Sequence, residues 1–400
     1  MNIAIIGGGA SGLMAGGFLV EKGHTVVIFD KNEKCGKKIY ITGKGRCNLT
    51  NNCLPETYLS NVVNGEKFMF SAIRGFSCQD TIEFFEKKGL KLKTERGDRV
   101  FPESDKASDV TKALLNHCKG CKFNLNERVI SIDKVGENFS LKTDIKEYLF
   151  DRIIIATGGK SYPATGSSGD GYSFARRFGH NIIKPRPALV PIRIKDNFCS
   201  ALEGLSLKNV TLKANINGKT KLLFGEMLFT NDAISGPIAL SMSSFVGDNK
   251  KVELALDFKP ALSQEQLEAR LLRDFSANLN KNLSYIIKGL LPIRFVDVFL
   301  KRVQIDGDKK VNSVKANERK LIAVALKDFS LTFESLYEIE TGIVTGGGVD
   351  LKEISPKTME SKLCNGLYFI GEVLDVDCLT GGFNLQTAFS TAYACAKYIY

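Results

Sequence analysis

The chain opens on a short apolar run, Asn2–Ile6, that breaks into Gly7-Gly8-Gly9-Ala10-Ser11-Gly12. Residues 13–22 then have helical character, and 25–29 form a second apolar strand that ends at Asp30. Strand, glycine turn, helix, strand and acid make a βαβ unit with G-x-G-x-x-G in the position it needs. Few features restrict a fold more. Gly7 permits a tight turn, Gly9 lets backbone approach a pyrophosphate, and Gly12 allows helix and strand to pack closely. The helix start offers free N–H groups and a positive dipole end to phosphates. Asp30 can accept hydrogen bonds from ribose hydroxyls and disfavours a 2′-phosphate.

Two later stretches read as further pieces of the same domain. Residues 151–156 (DRIIIA) are a buried strand followed by Thr157-Gly158-Gly159. Residues 367–370 (LYFI) are another, followed by Gly371-Glu372 and then LTGGFNLQ at the start of a C-terminal helix. Strand followed by glycine is where open α/β sheets bind ligands. Asp375 and Asp377 read as turn chemistry. No second G-x-G-x-x-G follows a strand near the middle, which argues against a separate nicotinamide domain. Neither C-x-x-x-x-C nor C-x-x-C follows the first helix, so disulfide-reductase chemistry is not expected. Cys118-Lys119-Gly120-Cys121 reads as buried thiols at a helix-to-strand turn rather than a metal or redox motif. We expect no metal site.

Residues 43–51, GKGRCNLTN, fit three roles: a polar turn, a glycosylated loop, or a loop packed on an anionic cofactor. Composition narrows the choice. The initial apolar run lacks a basic flank and is cut by glycine, so it reads as a strand and not a signal peptide. The ten cysteines are then expected as reduced thiols in a cytoplasm, and glycosylation of Asn48 loses its premise. No apolar run approaches the ~18–20 residues that span a bilayer. The net charge of +11 is spread over dispersed lysines without a run of five cations. This indicates a solvated basic surface and points away from nucleic acid as a partner.

Near residues 185–191 (PRPALVP) the pattern changes. Alternating segments at 189–194, 210–216, 221–224 and 251–258, with a turn at Asn217-Gly218, suggest a small antiparallel barrel or sandwich. From Ser263 to Leu326 the chain reads helical, with a capping box at Ser263 and Gln266. These helices are expected to cover an active site or pack on the barrel. The first domain resumes near 342–350 (GIVTGGGVD).

Taken together, GGGASGLMA (7–15), GKKIYITGKGRCNLTN (36–51), ATGGKSYPATGSSGDGY (156–172), SGPIAL (235–240), GGGVDLKEISPKTMESKL (346–363) and GLYFIGEVLDVD…TGGFNLQTAFS (366–390) resemble the aminoacetone-oxidase-like, BaiN-type FAD-binding oxidoreductases. That family sits within the glutathione-reductase-like flavoproteins. The resemblance implies an α/β fold: a discontinuous Rossmann-like FAD-binding domain with an inserted small β-barrel and a helical domain. The expected boundaries are 1–187 and 336–400 for the FAD-binding domain, 188–260 for the barrel and 261–335 for the helices. It further implies non-covalent FAD held by Gly7, Gly9, Ala10, Ser11, Gly12, Asp30, Lys31, Lys38, Gly43, Gly45, Arg46, Cys47, Asn48, Thr157, Gly158, Gly371, Glu372, Gly382, Asn384 and Leu385. Val129, in the strand 128–132, would touch adenine through its backbone. GKGRCNLTN thereby becomes a flavin loop, with Arg46 set to neutralise pyrophosphate and Asn48 near the ring.

One departure stands out. Relatives commonly read FTHxGISGP before 235–240; here Asn231 replaces the histidine and Ala233 the glycine. No catalytic acid or base is assigned; Tyr162, Asn231 and Asp232 are candidates that each read first as structural. The expected activity is a cytoplasmic FAD-dependent oxidoreductase passing a hydride between NAD(P)H or a small-molecule substrate and an acceptor. Two rivals are a flavoprotein acting on RNA and a non-catalytic flavin-binding sensor. The number of subunits is left open.

Overall fold

The computed structural model describes residues 1–249 and 251–400. The chain divides into two compact units. One joins Met1–Ala188 to Glu338–Tyr400; the other is Leu189–Tyr337.

The first unit is built on a parallel sheet of β1 (Asn2–Ile6), β2 (Thr25–Asp30), β3 (Lys122–Leu125), β4 (Arg152–Ile155) and β5 (Leu367–Phe369). Their order is β5-β4-β1-β2-β3. Ile3, Ile5, Ile153 and Ile155 are all fully buried, as expected of parallel strands covered on both faces. In register, Ile6 lies between Phe29 of β2 and Ile155 of β4. The strand order therefore reverses direction at β1, and the crevice beyond its carboxyl end is the ligand position of such sheets.

Helix α1 (Ala10–Glu21) follows β1 and starts earlier than the expected 13–22, because the glycine turn is complete at Gly9. Ser11 to Gly17 are all buried, so α1 is an interior helix rather than an amphipathic surface one. Helix α2 (Cys78–Lys87) carries a capping box formed by Ser77 and Asp80. Helix α3 (Phe383–Tyr398) closes the chain, and its residues 386–392 are buried. An antiparallel layer of Val129–Val135, Asn138–Thr143 and Glu147–Phe150 precedes β4.

The second unit holds a seven-stranded antiparallel sheet. Its two longest strands, Ser206–Ile216 and Lys219–Phe229, are joined by Asn217 (φ 51°) and Gly218 (φ 82°). Positive φ at both positions is the hairpin geometry that Asn-Gly favours. The helix Gln264–Ser276 begins at the Ser263–Gln266 capping box read from the sequence. Helices and strands share one core: Phe295 of a helix meets Phe258 and Phe329 edge-on at 4.9 and 5.3 Å. These helices pack on the sheet. Among the described residues no helix is long and apolar enough to cross a membrane.

Candidate dinucleotide-binding cleft

At the carboxyl end of β1 a cleft opens, with about 1310 Å³ of empty space including its mouth. Gly7, at the turn, has φ +109°, and a Cβ there would stand 2.4 Å from the Ala156 carbonyl oxygen. A Cβ on Gly12 would stand 2.0 Å from the Gly7 oxygen. Both glycines are therefore needed for packing. Gly9 differs: a Cβ there would meet nothing within 4 Å, so its backbone faces the open cleft. Gly9 is also the N-cap of α1 and has no side-chain cap, leaving first-turn N–H groups for an anionic ligand.

Asp30 ends β2 in the cleft wall. Its Oδ2 accepts from the Gly8 N–H at 2.9 Å, and its Oδ1 accepts from the Asn32 N–H and Nδ2, each at 2.9 Å. These three donors fix the carboxylate and leave lone pairs for hydroxyl donors. Val129 lines the same end. Lys31 pairs with Asp170 at 2.9 Å. Burial opposes the Asp170 charge, but Lys31 and then Arg128 hold its carboxyl below the usual range.

The other end is assembled from distant segments. Lys38 Nζ donates to Glu372 Oε2 at 2.8 Å, to Oε1 at 3.0 Å and to Ser161 Oγ at 2.5 Å. Glu372 Oε1 also accepts from the Thr345 N–H at 2.9 Å and the Ser161 hydroxyl at 3.0 Å. Thr345 Oγ1 in turn accepts from the N–H groups of Lys160 and Ser161. The Lys38 ammonium and the Glu372 carboxylate are thus both satisfied by protein partners, as a half-buried ion pair requires. Thr157 contrasts with this: its Oγ1 is buried against Gly171 without a hydrogen-bond partner.

Of the residues singled out in the sequence, Gly7, Gly9, Ala10, Ser11, Asp30, Lys31, Lys38, Val129, Thr157, Gly158, Glu372, Asn384 and Leu385 line the cleft together. Gly12 and Gly371 stand behind it; a Cβ on Gly371 would meet Ser11 Oγ at 2.6 Å. Gly43, Gly45, Cys47, Asn48 and Gly382 do not line it. Cys47 is fully buried with φ 59°. Asn48, oriented to satisfy both ends of its amide, accepts from the Gly382 N–H at 3.0 Å and donates to the Thr50 oxygen at 3.0 Å. Arg46 lies outside the lining. Its guanidinium binds Asp105 (2.7 Å) and Glu95, and stacks over Phe101 at 4.3 Å.

Thr165, Ser167, Asp170, Val344 and Thr387 line the cleft without having been singled out. The first three lie within the quoted 156–172 stretch, whose glycines and hydroxyls were the available signal. Among the three acid–base candidates, Tyr162 does not line the cleft. Tyr162 sits at φ 51° with its N–H on the Glu340 oxygen. Asn231 is exposed, whereas Asp232 accepts from Tyr337 Oη at 2.6 Å. That bond, helped by Arg193, holds the Asp232 carboxyl below its usual range.

The cleft fits FAD on its own geometry: an open glycine backbone, an uncapped helix start and an oriented acid at the end of β2. The family model and the reductase relative described below make this a Rossmann-type FAD-dependent oxidoreductase. The chain belongs to the family described as HI0933-like protein Rossmann domain, which matches residues 1–398. It is 34% identical over 98% of its length to a Haemophilus influenzae protein named ribosomal RNA dihydrouridine synthase, covering 96% of that protein. It is 31% identical over 99% of its length to a Clostridium scindens 3-dehydro-bile acid delta(4,6)-reductase, covering 98% of it. Among solved structures, a 3-ketosteroid-delta4-(5alpha)-dehydrogenase from Rhodococcus jostii aligns with TM-score 0.52 at 14% identity, over 98% of this chain and 96% of that one. This last likeness concerns the fold alone.

Proposed function

We propose that this chain is a reductase that passes a hydride from NADH or NADPH, by way of bound FAD, to a carbon–carbon double bond conjugated with a carbonyl. The observation that carries the flavin part is the cleft at β1, with Gly9 open, the α1 start uncapped and Asp30 oriented. The acceptor class rests on what two relatives' names have in common. Reduction of a 3-dehydro-delta(4,6) bile acid and conversion of uridine to dihydrouridine both add two hydrogens to such a bond.

FAD held there would supply a ring able to accept a hydride and return it. The protein's share is binding, orientation and charge. The amides of Ala10 and Ser11 would face the pyrophosphate, and Asp30 the adenosine ribose. Gly43, Gly45, Cys47 and Asn48 would shape the loop that backs the ring. The N-cap of α3 is Gly382, which has no side-chain cap, so first-turn amides there would favour negative charge. Lys38, fixed by Glu372 and Ser161, would keep a cation at the opposite wall.

The test is an absorption spectrum of the purified protein followed by anaerobic NADH and NADPH. Flavin bands that bleach with one nucleotide support the reading. Flavin bands indifferent to both leave an enzyme reduced by its own substrate and overturn the nicotinamide part. A protein that takes up no FAD overturns the whole.

A second reading places the double bond in a uracil of ribosomal RNA. It is favoured by the 34% identity to the ribosomal RNA dihydrouridine synthase. It predicts RNA binding that weakens steeply with salt and a gain of two hydrogens in a ribosomal RNA fragment. A conjugated enone of a small molecule consumed in preference to RNA would reject it.

A further inference from the structure

Cys53 and Cys78 lie 25 positions apart in sequence, and their sulfurs stand 3.9 Å from each other. Closing a disulfide would need them to approach to about 2.05 Å. A neighbouring contact holds the segments side by side. Asn52, next to Cys53, hydrogen-bonds through its side chain to Gln79, next to Cys78. Cys78 is the first residue of α2, directly after the Ser77 cap, where the helix dipole favours a thiolate. Cys53 is half-buried and reachable from solvent, while Cys78 is fully buried behind it. An outer thiol backed by an inner one is the arrangement that resolves a mixed disulfide.

We propose that Cys53 and Cys78 form a dithiol that exchanges with small-molecule disulfides and closes to an intramolecular disulfide. In the first step the Cys53 sulfur attacks one sulfur of R–S–S–R. An S–S bond forms to Cys53, the R–S–S–R bond breaks, and the leaving thiolate picks up a proton as RSH. In the second step the deprotonated Cys78 sulfur attacks Cys53 and expels the second RS group, which is protonated in turn. Two cysteine thiols are oxidised and one external disulfide is reduced to two thiols.

The resting proton lies on Cys53, so Cys53 attacks as that proton passes to the Cys78 thiolate, and Cys78 gives it up to the leaving RS group before attacking in turn. The hydrogen bond from Cys53, and against burial those from Thr50, Asn51 and Cys53 backbone, hold the Cys78 thiol below its usual value. The same shared proton, then burial, pushes the Cys53 thiol up. The pair thus carries one readily lost proton and one retained. In the other close pair Cys121 is half-buried as well, but its inner partner is anchored elsewhere. Cys118 is fully buried and donates its thiol to the Leu13 oxygen at 2.8 Å.

Thr50 Oγ1 donates to Gln386 Oε1 of α3 at 2.6 Å, and Asn51 Nδ2 donates to the Gly381 oxygen at 3.2 Å. Cys53 thus adjoins the strand Thr50–Asn51, which hydrogen-bonds to the start of α3.

The test is peptide mapping of the full chain after incubation with oxidised glutathione and alkylation of free thiols. The expected result is a Cys53–Cys78 link, at least tenfold more abundant than other pairings and reversed by dithiothreitol. Cys53→Ala should abolish the link, and Cys78→Ala should leave glutathione on Cys53. If Cys78→Ala does not fold, the wild-type map alone decides. Cys53 linked to a different cysteine such as Cys378, or both thiols still alkylatable, overturns the proposal. The readout is a covalent mass and requires no flavin, so it is independent of the cofactor reading.

Discussion

The two ends of the cleft are built in opposite ways. At the β1 end, one continuous stretch of thirty residues supplies the turn, the helix start and the acid, and its contacts are largely backbone. At the other end, Lys38 meets Glu372 across 334 positions of sequence, with Ser161 and Thr345 coming from two further segments. The first end is fixed by Gly7 and Gly12, which leave no room for a side chain, while Gly9 stays open. The second is rigid only while each of its side chains keeps its partner. The general lesson is that steric sites tolerate no insertion, whereas side-chain networks fail by losing one member.

The largest effect should come from forcing a side chain into the β1 turn. Gly7→Val would place a branched Cβ 2.4 Å from the Ala156 oxygen at φ +109°. We expect a cost on the order of 3 kcal/mol or more and protein without flavin absorbance. A Gly7→Val protein that binds FAD normally would break the steric account of this end.

Next is Glu372→Gln, which keeps the shape but removes the charge facing Lys38. Because both side chains are about a fifth exposed, solvent offsets part of the loss. We expect a weakening of about 1–2 kcal/mol in FAD affinity, read by fluorescence titration. A change beyond that for Gly7→Val would reverse the ranking of the two ends.

A third effect is pH-dependent. Burial raises the Asp377 carboxyl from 3.8 to about 6, against the opposing pull of Arg186. An acid whose folded value is raised stabilises the fold below its unfolded value and loses that contribution as pH climbs through its folded one. Stability should therefore fall between about pH 4 and pH 6 on account of this group, by about 3 kcal/mol at most. Asp377→Asn should flatten that part of a Tm-against-pH profile. An unchanged slope would remove Asp377 as its origin.

The smallest effect should be that of Arg46→Ala. Its guanidinium is a third exposed and already satisfied by Glu95 and Asp105, so the change should cost under about 1 kcal/mol in stability and in FAD affinity alike. A tenfold or greater loss of FAD affinity would instead restore Arg46 to the pyrophosphate.

How much of this was legible beforehand follows the same division. The strand–glycine–helix–strand unit, the Asn217-Gly218 hairpin and the Ser263–Gln266 capping box all appear where the residues implied. Thr165, Ser167 and Asp170 went unnamed because hydroxyls and acids in glycine-rich turns have many local uses. The pairing of Cys53 with Cys78 matched no spaced motif, since the two thiols meet only through the packing of α2 beside the strand Thr50–Asn51. Arg46 was assigned by its company in GKGRCNLTN, whereas carboxylates at positions 95 and 105 claim it in space.

The sequence by itself determined what depends on neighbours along the chain: where backbone can turn, where a helix can start, and which runs must be buried. Steric exclusion and capping act over a few residues and are written there. The tertiary structure alone decided which lysine meets which carboxylate, which thiols are adjacent, and which faces line the cleft. Those pairings join groups tens to hundreds of positions apart, and only the packed sheet and helices bring them within hydrogen-bonding range.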